Sequence, residues 1–473
     1  MIKEYADKQE RVARVRRLLK WPNARTQALL RSLHPTELAQ LLEESSPEWQ
    51  LRIVRELPQE LLSQAVSEMR DEEPARILMQ LHPEASAALI NELPYDDAAD
   101  LVALLPEAYK RTLLQYIPKE EETVLSRLLS YEEDSAGGLM NPDLVVVRET
   151  MTKLDALREV VRQSEDMEEF YAIYVVDEED YLVGYLTFRK LFLARNTQMV
   201  KEFMGTDVVS VTDETDQEEV AKLMQQYNLP TLPVVNPDGK LLGRITFDDV
   251  MDVIQEENTE DILNFAGVSD GESLRGGWAN AVKSRIPWLL VNLVTASVAA
   301  FTIAQFEGTL EKIVLLTSLM PVIAGVAGNG ATQTLAVTIR RISTHGIASG
   351  KALRVILKEL SVGAIIGLML GAIVSMAVIF LSPYPDPQVA AMMGLVVFLA
   401  MFANLMLAGF AGSFIPLALE RLRIDPAVAS SILITALTDV IGFLLLLGLA
   451  TRILLPLVNP FNQAGLNFID PVM

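Results

Sequence analysis

Asp439 lies within SSILITALTDVIGF, an otherwise apolar run in which no lysine or arginine is at hand to pair with it. At the centre of a membrane-spanning helix a carboxylate costs about 3 kcal/mol on insertion scales, so it needs a cation or an aqueous cavity. Ser431, Thr435, Thr438 and Gly442 share its helical face. Two readings stand: a cation site, or a protonated aspartate bonded to a neighbouring helix. One carboxylate does not complete a coordination shell, but Mg2+ gives up its waters reluctantly and is often held through them. A symmetric dimer would present two such carboxylates to one ion.

A second stretch, TSLMPVIAGVAGNGATQTLAVTIRR, places Ser318, Pro321, Gly325, Gly328, Asn329 and Thr332 at three- and four-residue steps, which makes one small and polar stripe. Pro321 and the glycines loosen the backbone, and lipid tolerates that only where the segment packs on protein or lines a wet cavity. The stripe is therefore either a close helix-packing seam or the wall of a polar pathway. A third stretch, DDVMDVIQEENTEDILNFAGVSDGE, predicts a helix running to about Ala266 with Asp249, Asp252, Glu256, Glu257, Glu260 and Asp261 crowded along it. Like charges at such spacing destabilise an isolated helix by about 0.2–0.5 kcal/mol per pair. A solvated face accounts for the charge. So does a set of Mg2+ sites shared with other acidic surfaces, such as Asp96, Asp97, Asp100, Asp216 and Glu218.

Composition limits the metal chemistry. The 473 residues include no cysteine and three histidines, His34, His82 and His345. Disulfides and thiolate sites are ruled out, and a zinc-type cluster lacks ligands. Hard oxygen donors remain, which favour Mg2+, Ca2+ or Mn2+. Residues 1–275 carry 54 acidic and 29 basic side chains, a net of −25, while the remainder carry 8 and 11, a net of +3; together they make the −22 of the whole. An acidic half joined to an apolar half reads as a cytoplasmic module on a membrane domain. Nucleic acid is excluded as a partner by the sign of the charge. The opening MIKEYADKQERVARVRR has no apolar core, so no cleavable secretion signal is expected.

Five apolar stretches are long enough to span a bilayer: Ile286–Phe306, Ile313–Ile339, Leu360–Leu381, Val389–Leu419 and Ala427–Leu455. Lys283 and Arg285 precede the first, Arg340, Arg341, Lys351, Arg354 and Lys358 follow the second, and Arg421 and Arg423 follow the fourth. The positive-inside rule then predicts a cytoplasmic N-terminal half and an external C-terminus in the cell membrane. In the acidic half, IYVVDEEDYLVGYLTFRKLF (173–192) aligns without gaps on LPVVNPDGKLLGRITFDDVM (232–251), 59 residues later. Each copy reads strand, turn, strand, helix. Before the repeat, prolines at 35, 47, 58, 83, 94, 106 and 118 open amphipathic stretches, which predicts short helices stacked as an α-solenoid.

The repeat resembles a tandem pair of cystathionine-β-synthase (CBS) domains. In that family a G-x-x-[ST]-x-x-D stretch binds nucleotide ribose and phosphate. The second copy matches with Gly243, Thr246 and Asp249, which implies an adenine nucleotide such as ATP there. The first has Gly184 and Thr187 but Lys190 in place of the acid. An acidic helical domain, a CBS pair, a connecting helix and five spans together resemble the MgtE family of magnesium channels over nearly the whole chain. YEEDSAGGLM (131–140), TDQEEVAKLM (215–224), TEDI (259–262), the P-x-x-x-G-x-x-G-N-x-x-x-Q run from Pro321 to Gln333, and Asp439 carry that resemblance.

What the resemblance implies is a multidomain homodimeric membrane protein. It would have an N-terminal α-solenoid over 1–130 and an α/β tandem CBS pair over 131–255 (copies about 138–201 and 202–255). A connecting helix over 256–279 would lead to an all-α, five-helix transmembrane domain over 280–473. The pore would lie between the second and fifth spans, with Asp439 as its aspartate and Pro321, Gly325, Gly328, Asn329, Gln333 and Thr435 along the pathway. Mg2+ would be both substrate and regulatory ligand. The sensor role carries to Asp96, Asp100, Gly138 through its carbonyl, Asp216, Glu218, Asp249, Asp252, Glu257, Glu260 and Asp261. Ile432 stands where relatives usually have a proline, and Asn228 where they often have a sensor aspartate.

Inward passage of two charges down 100 mV releases about 4.6 kcal/mol, so no ATPase is needed. None is visible, since GVAGNGAT lacks the G-K-[ST] ending of a P-loop. A membrane enzyme is disfavoured by the lack of H-E-x-x-H, of a Ser-His pairing near a span, and of a second intramembrane carboxylate. A CBS-regulated transporter of Co2+ or Mn2+, or an ion-coupled carrier, is the alternative.

Overall fold

The computed structural model describes residues 28–69, 73–165, 167, 170–268, 277–345, 352–382, 384, 386–422, 424–426 and 430–458. The chain divides into two compact units, Met1–Glu257 and Asn258–Met473.

From Pro35 the first unit runs through eight short helices: α1 (Pro35–Glu43), α2 (Pro47–Glu56), α3 (Gln59–Ser67), α4 (Glu73–Gln80), α5 (Pro83–Ile90), α6 (Tyr95–Ala103), α7 (Glu107–Leu114) and α8 (Lys119–Leu128). Prolines set their starts in two ways. Pro35, Pro47 and Pro83 occupy the first turn, while Pro58, Pro94, Pro106 and Pro118 are the capping residues just before it. At both places the missing N–H costs nothing. Each helix packs on the next but one, α1 on α3 on α5 on α7 and α2 on α4 on α6 on α8, which makes two stacked rows of a solenoid. In α6 the buried face is Ala98, Ala99, Leu101 and Val102. Helical periodicity therefore puts Asp96, Asp97 and Asp100 off that face.

A single turn, α9 (Ala136–Leu139), leads into two three-stranded sheets. The first holds β1 (Val146–Arg148), β2 (Ile173–Val176) and β3 (Leu182–Leu186), with α10 (Lys153–Gln163) between β1 and β2 and α11 (Phe188–Leu193) after β3. The second holds β4 (Val211–Thr212), β5 (Thr231–Val235) and β6 (Leu241–Thr246), with α12 (Gln217–Tyr227) between β4 and β5. In each sheet the first pair is parallel and the second antiparallel. The 59-residue repeat is kept in the ladder itself. Ile173 faces Leu186 as Leu232 faces Ile245, Val175 faces Gly184 as Val234 faces Gly243, and both copies slip register one residue later. The solenoid and the second sheet share one apolar core, from Leu30 through Val102 and Leu125 to Leu232, Ile245 and Val253. The first sheet has its own core around Val147, Val160, Ile173 and Leu186.

α13 (Phe247–Ala266) crosses the division between the units. The second unit then runs α14 (Trp278–Ala304), α15 (Glu307–Leu310), α16 (Leu315–His345), α17 (Ala352–Phe380), α18 (Pro387–Arg421) and α19 (Ser430–Leu449), the last extended by a π-helical turn at Ala450–Leu454. Among the described residues, five helices are long and apolar enough to cross a membrane. Three differ from expectation. α14 starts at Trp278, eight residues before the expected Ile286, and so takes in Lys283 and Arg285. α16 runs unbroken through Pro321 and its glycines, because a backbone surrounded by apolar groups loses most by leaving its hydrogen bonds unmade. α17 starts at Ala352, eight residues before the expected Leu360, and so takes in Lys358 and Glu359. Glu359 is buried and its Oε1 lies 3.0 Å from Lys358 Nζ, which corrects the expectation that no second carboxylate lies within a span. The residues opening the fifth expected span, 427–429, lie outside the described residues, as do Lys351, Arg423, residues 1–27, 269–276 within the expected connecting helix, and 459–473 at the C-terminus.

Candidate ion pathway and acidic cluster

In α16 the predicted stripe lies on the unburied side. Pro321, Gly325, Asn329 and Gln333 are exposed, and Gly328 and Thr332 are half-buried. A Cβ built at Gly325 or Gly328 would meet nothing within 4 Å. The opposite face packs: Ala327, Ala331 and Leu335 form a cluster with Ala408 of α18 and Ile434 of α19. Those two glycines are therefore no packing seam within this chain. The seam lies instead between α17 and α18. A Cβ at Gly363 would collide with the Leu405 carbonyl, and one at Gly367 would sit 3.0 Å from the Phe402 carbonyl.

The face of α19 that the sequence groups with Asp439 divides in two. Thr435 is exposed and its hydroxyl donates to the Ser431 carbonyl at 2.8 Å. Thr438 is buried and donates to the Ile434 carbonyl at 3.1 Å, and Gly442 is buried against α18. Asp439 itself is half-buried. Among the described residues it has no hydrogen-bond or ion-pair partner, so the reading of an aspartate held by a neighbouring helix finds no partner here.

In the first unit the acids of α6 come beside those that open α13. Burial raises Asp96 to about 6, helped by Asp97 and opposed by hydrogen bonds from the Asp97 N–H and from Asn141 Nδ2 at 2.9 Å. Burial likewise raises Asp97 to about 6, with Asp249, Glu68, Asp248 and Asp252 adding to it. Asp249 also stands at about 6, from burial and Asp96. Asp100 is pushed to about 7 by desolvation and by Asp96, Asp97, Glu133 and Asp249. Because Asp100 keeps an exposed face that water screens, the half-buried Asp96, Asp97 and Asp249 weigh more. The charged neighbours that shift these four are all carboxylates. A divalent cation is the kind of charge the group lacks.

A second neighbourhood gathers Asp216, Glu218, Glu257 and Asp134. Burial raises Glu257, and Glu218, Asp216 and Asp134 raise it further against a 2.6 Å hydrogen bond from Gln217 Nε2. Asp216 caps α12 by accepting the Glu218 N–H at 2.8 Å, and Glu218 pairs with Lys222 at 2.7 Å. Gly138 is a glycine for a packing reason, since a Cβ there would meet the Glu132 and Glu133 carbonyls at 2.6 and 2.7 Å. Glu260 and Asp261 lie on the part of α13 in the second unit, where Asn264 Nδ2 donates to Glu260 and to Asp425 at 3.3 Å each. The predicted sensor residues thus fall into separate neighbourhoods. Among the described residues no three carboxylates or imidazoles are arranged to hold one metal ion.

The predicted nucleotide residues are occupied with the fold. A Cβ at Gly243 would sit 2.8 Å from the Asn141 carbonyl, so the chain before the sheet fills the space that the glycine leaves. Thr246 donates its hydroxyl and its N–H to the Asp249 carboxylate, which ties the start of α13. Sequence reasoning missed Glu68, Asp134, Asp248, Asn404, Glu359 and Asp425. Asn404 and Glu359 carried the same signal as Asp439, a polar group in an apolar helix. Glu68 carried none, because only folding brings it to the α6 acids.

Comparison with known proteins covers both units. Residues 33–134 match the MgtE intracellular N domain, 136–196 and 200–256 match the CBS domain, and 320–449 match the divalent cation transporter model of MgtE. The chain is 39% identical over 331 residues to the magnesium transporter MgtE of Thermus thermophilus, covering 69% of this chain and 72% of that protein. It is 33% identical over 324 residues to the magnesium transporter MgtE of Bacillus subtilis, covering 68% and 70%. The crystal structure of the cytosolic domain of the Mg2+ channel MgtE in complex with ATP is similar over 51% of this chain and 99% of that one, at 37% identity and TM-score 0.49.

Proposed function

The chain belongs to the MgtE family of magnesium transporters, and from that premise we propose that it is a Mg2+-selective channel which cytoplasmic Mg2+ closes. The observations that carry the conducting part are the uncovered polar side of α16 and, on α19, an Asp439 without a partner among the described residues. Pro321, Gly325, Gly328, Asn329, Gln333 and Thr435 line the pathway, and Asp439 attracts the hydrated ion through its water shell. Two copies of the chain close the pathway around one ion, each supplying one Asp439. The protein sits in the cell membrane with the acidic unit in the cytoplasm and the C-terminus outside, so influx needs no energy beyond the potential.

The acidic unit supplies the control. Its domains are the helical 1–130 and the CBS pair 131–255, with the helix 256–279 leading to the spans at 280–473. Mg2+ acts at Asp96, Asp100, Gly138 through its carbonyl, Asp216, Glu218, Asp249, Asp252, Glu257, Glu260 and Asp261, held through its hydration shell, since among the described residues no three carboxylates are arranged to ligate one ion directly. Bound Mg2+ removes the repulsion among these carboxylates and so favours the closed arrangement. When Mg2+ falls, repulsion favours opening. An adenine nucleotide at Gly243, Thr246 and Asp249 is a separate proposal, carried by the G-x-x-[ST]-x-x-D match in the second CBS copy.

The test is flux into liposomes containing a Mg2+-sensitive dye. Asp439→Ala and Asp439→Asn should each abolish uptake, and full flux in both removes Asp439 from the pathway. Neutralising Asp249, Asp252 and Glu260 together should leave flux high at millimolar Mg2+ on the cytoplasmic side, and unchanged inhibition removes the sensor assignment. Comparing Mg2+ with Co2+ and Mn2+ in the same vesicles decides between this reading and a broader divalent transporter.

A further inference from the structure

Asn404 stands in the middle of α18 and is 0% exposed, yet neither atom of its carboxamide has a hydrogen-bond partner among the described residues. Several other buried polar side chains of the spans are satisfied within their own helices. The hydroxyls of Thr334, Thr338, Ser413 and Thr438 each donate to the carbonyl four residues back. A carboxamide needs partners for two donors and an acceptor, and in an apolar surround leaving them unmade is costly. Asn404 is nevertheless aimed at a specific place. Its Nδ2 occupies the space that the missing side chain of Gly442 leaves open, and a Cβ there would collide with it. Gly442 lies one helical turn beyond Asp439, on the same helix.

We propose that Asn404 is a positioning residue for the ion pathway: its carboxamide hydrogen-bonds, directly or through one water, to the Thr438–Gly442 turn of α19 during conduction and so sets the orientation of Asp439. A glycine at 442 lets the amide approach the helix backbone closely enough for this. Buried polar groups of this kind hold a water or a backbone group when the site is polar and has room. The inference rests on the reading that Asp439 belongs to the pathway.

The experiment compares Asn404→Ala with Asn404→Ser, which are close in size and differ by one hydroxyl. Mg2+ flux in liposomes is measured per amount of folded protein, alongside Asp439→Ala. The alanine variant should lose about tenfold in maximal flux, the scale of one lost hydrogen bond. The serine variant should stay within about threefold of the parent, because it keeps a donor and an acceptor. Equal flux in the two variants, whether normal or impaired, overturns the inference, as does a serine variant worse than the alanine. Where Asn404→Ala does not accumulate, Asn404→Thr against Asn404→Val repeats the contrast: flux kept by threonine and lost by valine supports the role, and equal flux overturns it. Abolished flux in Asp439→Ala without the Asn404 contrast overturns this inference alone. Normal flux in Asp439→Ala overturns the pathway reading and this inference with it.

Discussion

α16 and α17 both carry glycines at helical spacing, and the two sets do opposite things. Gly363 and Gly367 of α17 lie against the backbone of α18, where any side chain would strike a carbonyl. Gly325 and Gly328 of α16 face open space. In α17 glycine allows helices to approach, as small residues do in membrane bundles. In α16 it leaves a surface smooth and uncovered. The same residue type at similar spacing thus marks a seam in one helix and an open side in the other, and only the neighbouring helix tells them apart.

A parallel contrast runs through the acids of the first unit. Glu159 is held down by its hydrogen bonds from Arg162 and Gln163, and Glu218 pairs with Lys222. Asp96, Asp97 and Asp249 are raised, first by burial and then by charged neighbours that are all carboxylates. Paired acids are accounted for by their neighbours in the chain. The raised ones are where an outside cation has something to do.

The largest expected effect tests the seam. Gly363→Leu should destabilise the membrane unit by about 4 kcal/mol or more, because a full side chain must enter a closed helix contact. The yield of folded protein in detergent would measure it, and normal yield would mean that α17 and α18 are not in close contact. Next in size is the response of the acidic cluster to pH. An aspartate raised from 3.8 binds its proton more tightly in the folded state than in the unfolded one. The resulting penalty is absent below about pH 4 and complete above about pH 7, so stability falls as pH rises through that window. For one such group it is on the order of 2–3 kcal/mol. Without divalent ions the thermal midpoint of the first unit should drop by about 5 °C or more between pH 5 and pH 8. Millimolar Mg2+ should remove most of that drop, and a midpoint indifferent to both would show that the cluster is relieved in some other way.

The open side of α16 comes third. Gly325→Leu should leave folding within about 0.5 kcal/mol, as for an exposed site, while reducing Mg2+ flux by about tenfold if the side lines the pathway. Lost folding with Gly325→Leu would turn the contrast with Gly363→Leu into two seams. The smallest effect is at the start of α13. Thr246→Ala removes one hydroxyl that ties Asp249 and should cost about 1 kcal/mol. It should also free Asp249 for the cation, so its destabilisation should shrink when Mg2+ is added.

Much of this was legible in the sequence. The 59-residue repeat predicted two like sheets, and the ladder keeps that offset down to the register slip. The prolines predicted helix starts, and the structure differs only in placing four of the seven one residue before the first turn. The start of α17 was misjudged because Lys358 and Glu359 read as the end of a loop. Their mutual pairing and the burial of Glu359 let the helix begin earlier. Asn404 went unnoticed because one amide barely changes the hydropathy of a 35-residue helix.

By itself the sequence determined which segments are helices, strands and spans, and which residue types carry charge where lipid or repulsion makes charge costly. Those depend on local periodicity and composition, which a chain displays in order. Only the tertiary structure decided that the glycines of α16 face outward while those of α17 are closed over. It alone set the acids of α6 beside those of α13, and gave Gly442 to Asn404. These are contacts between residues far apart along the chain, and which face meets which is settled by packing, not by spacing.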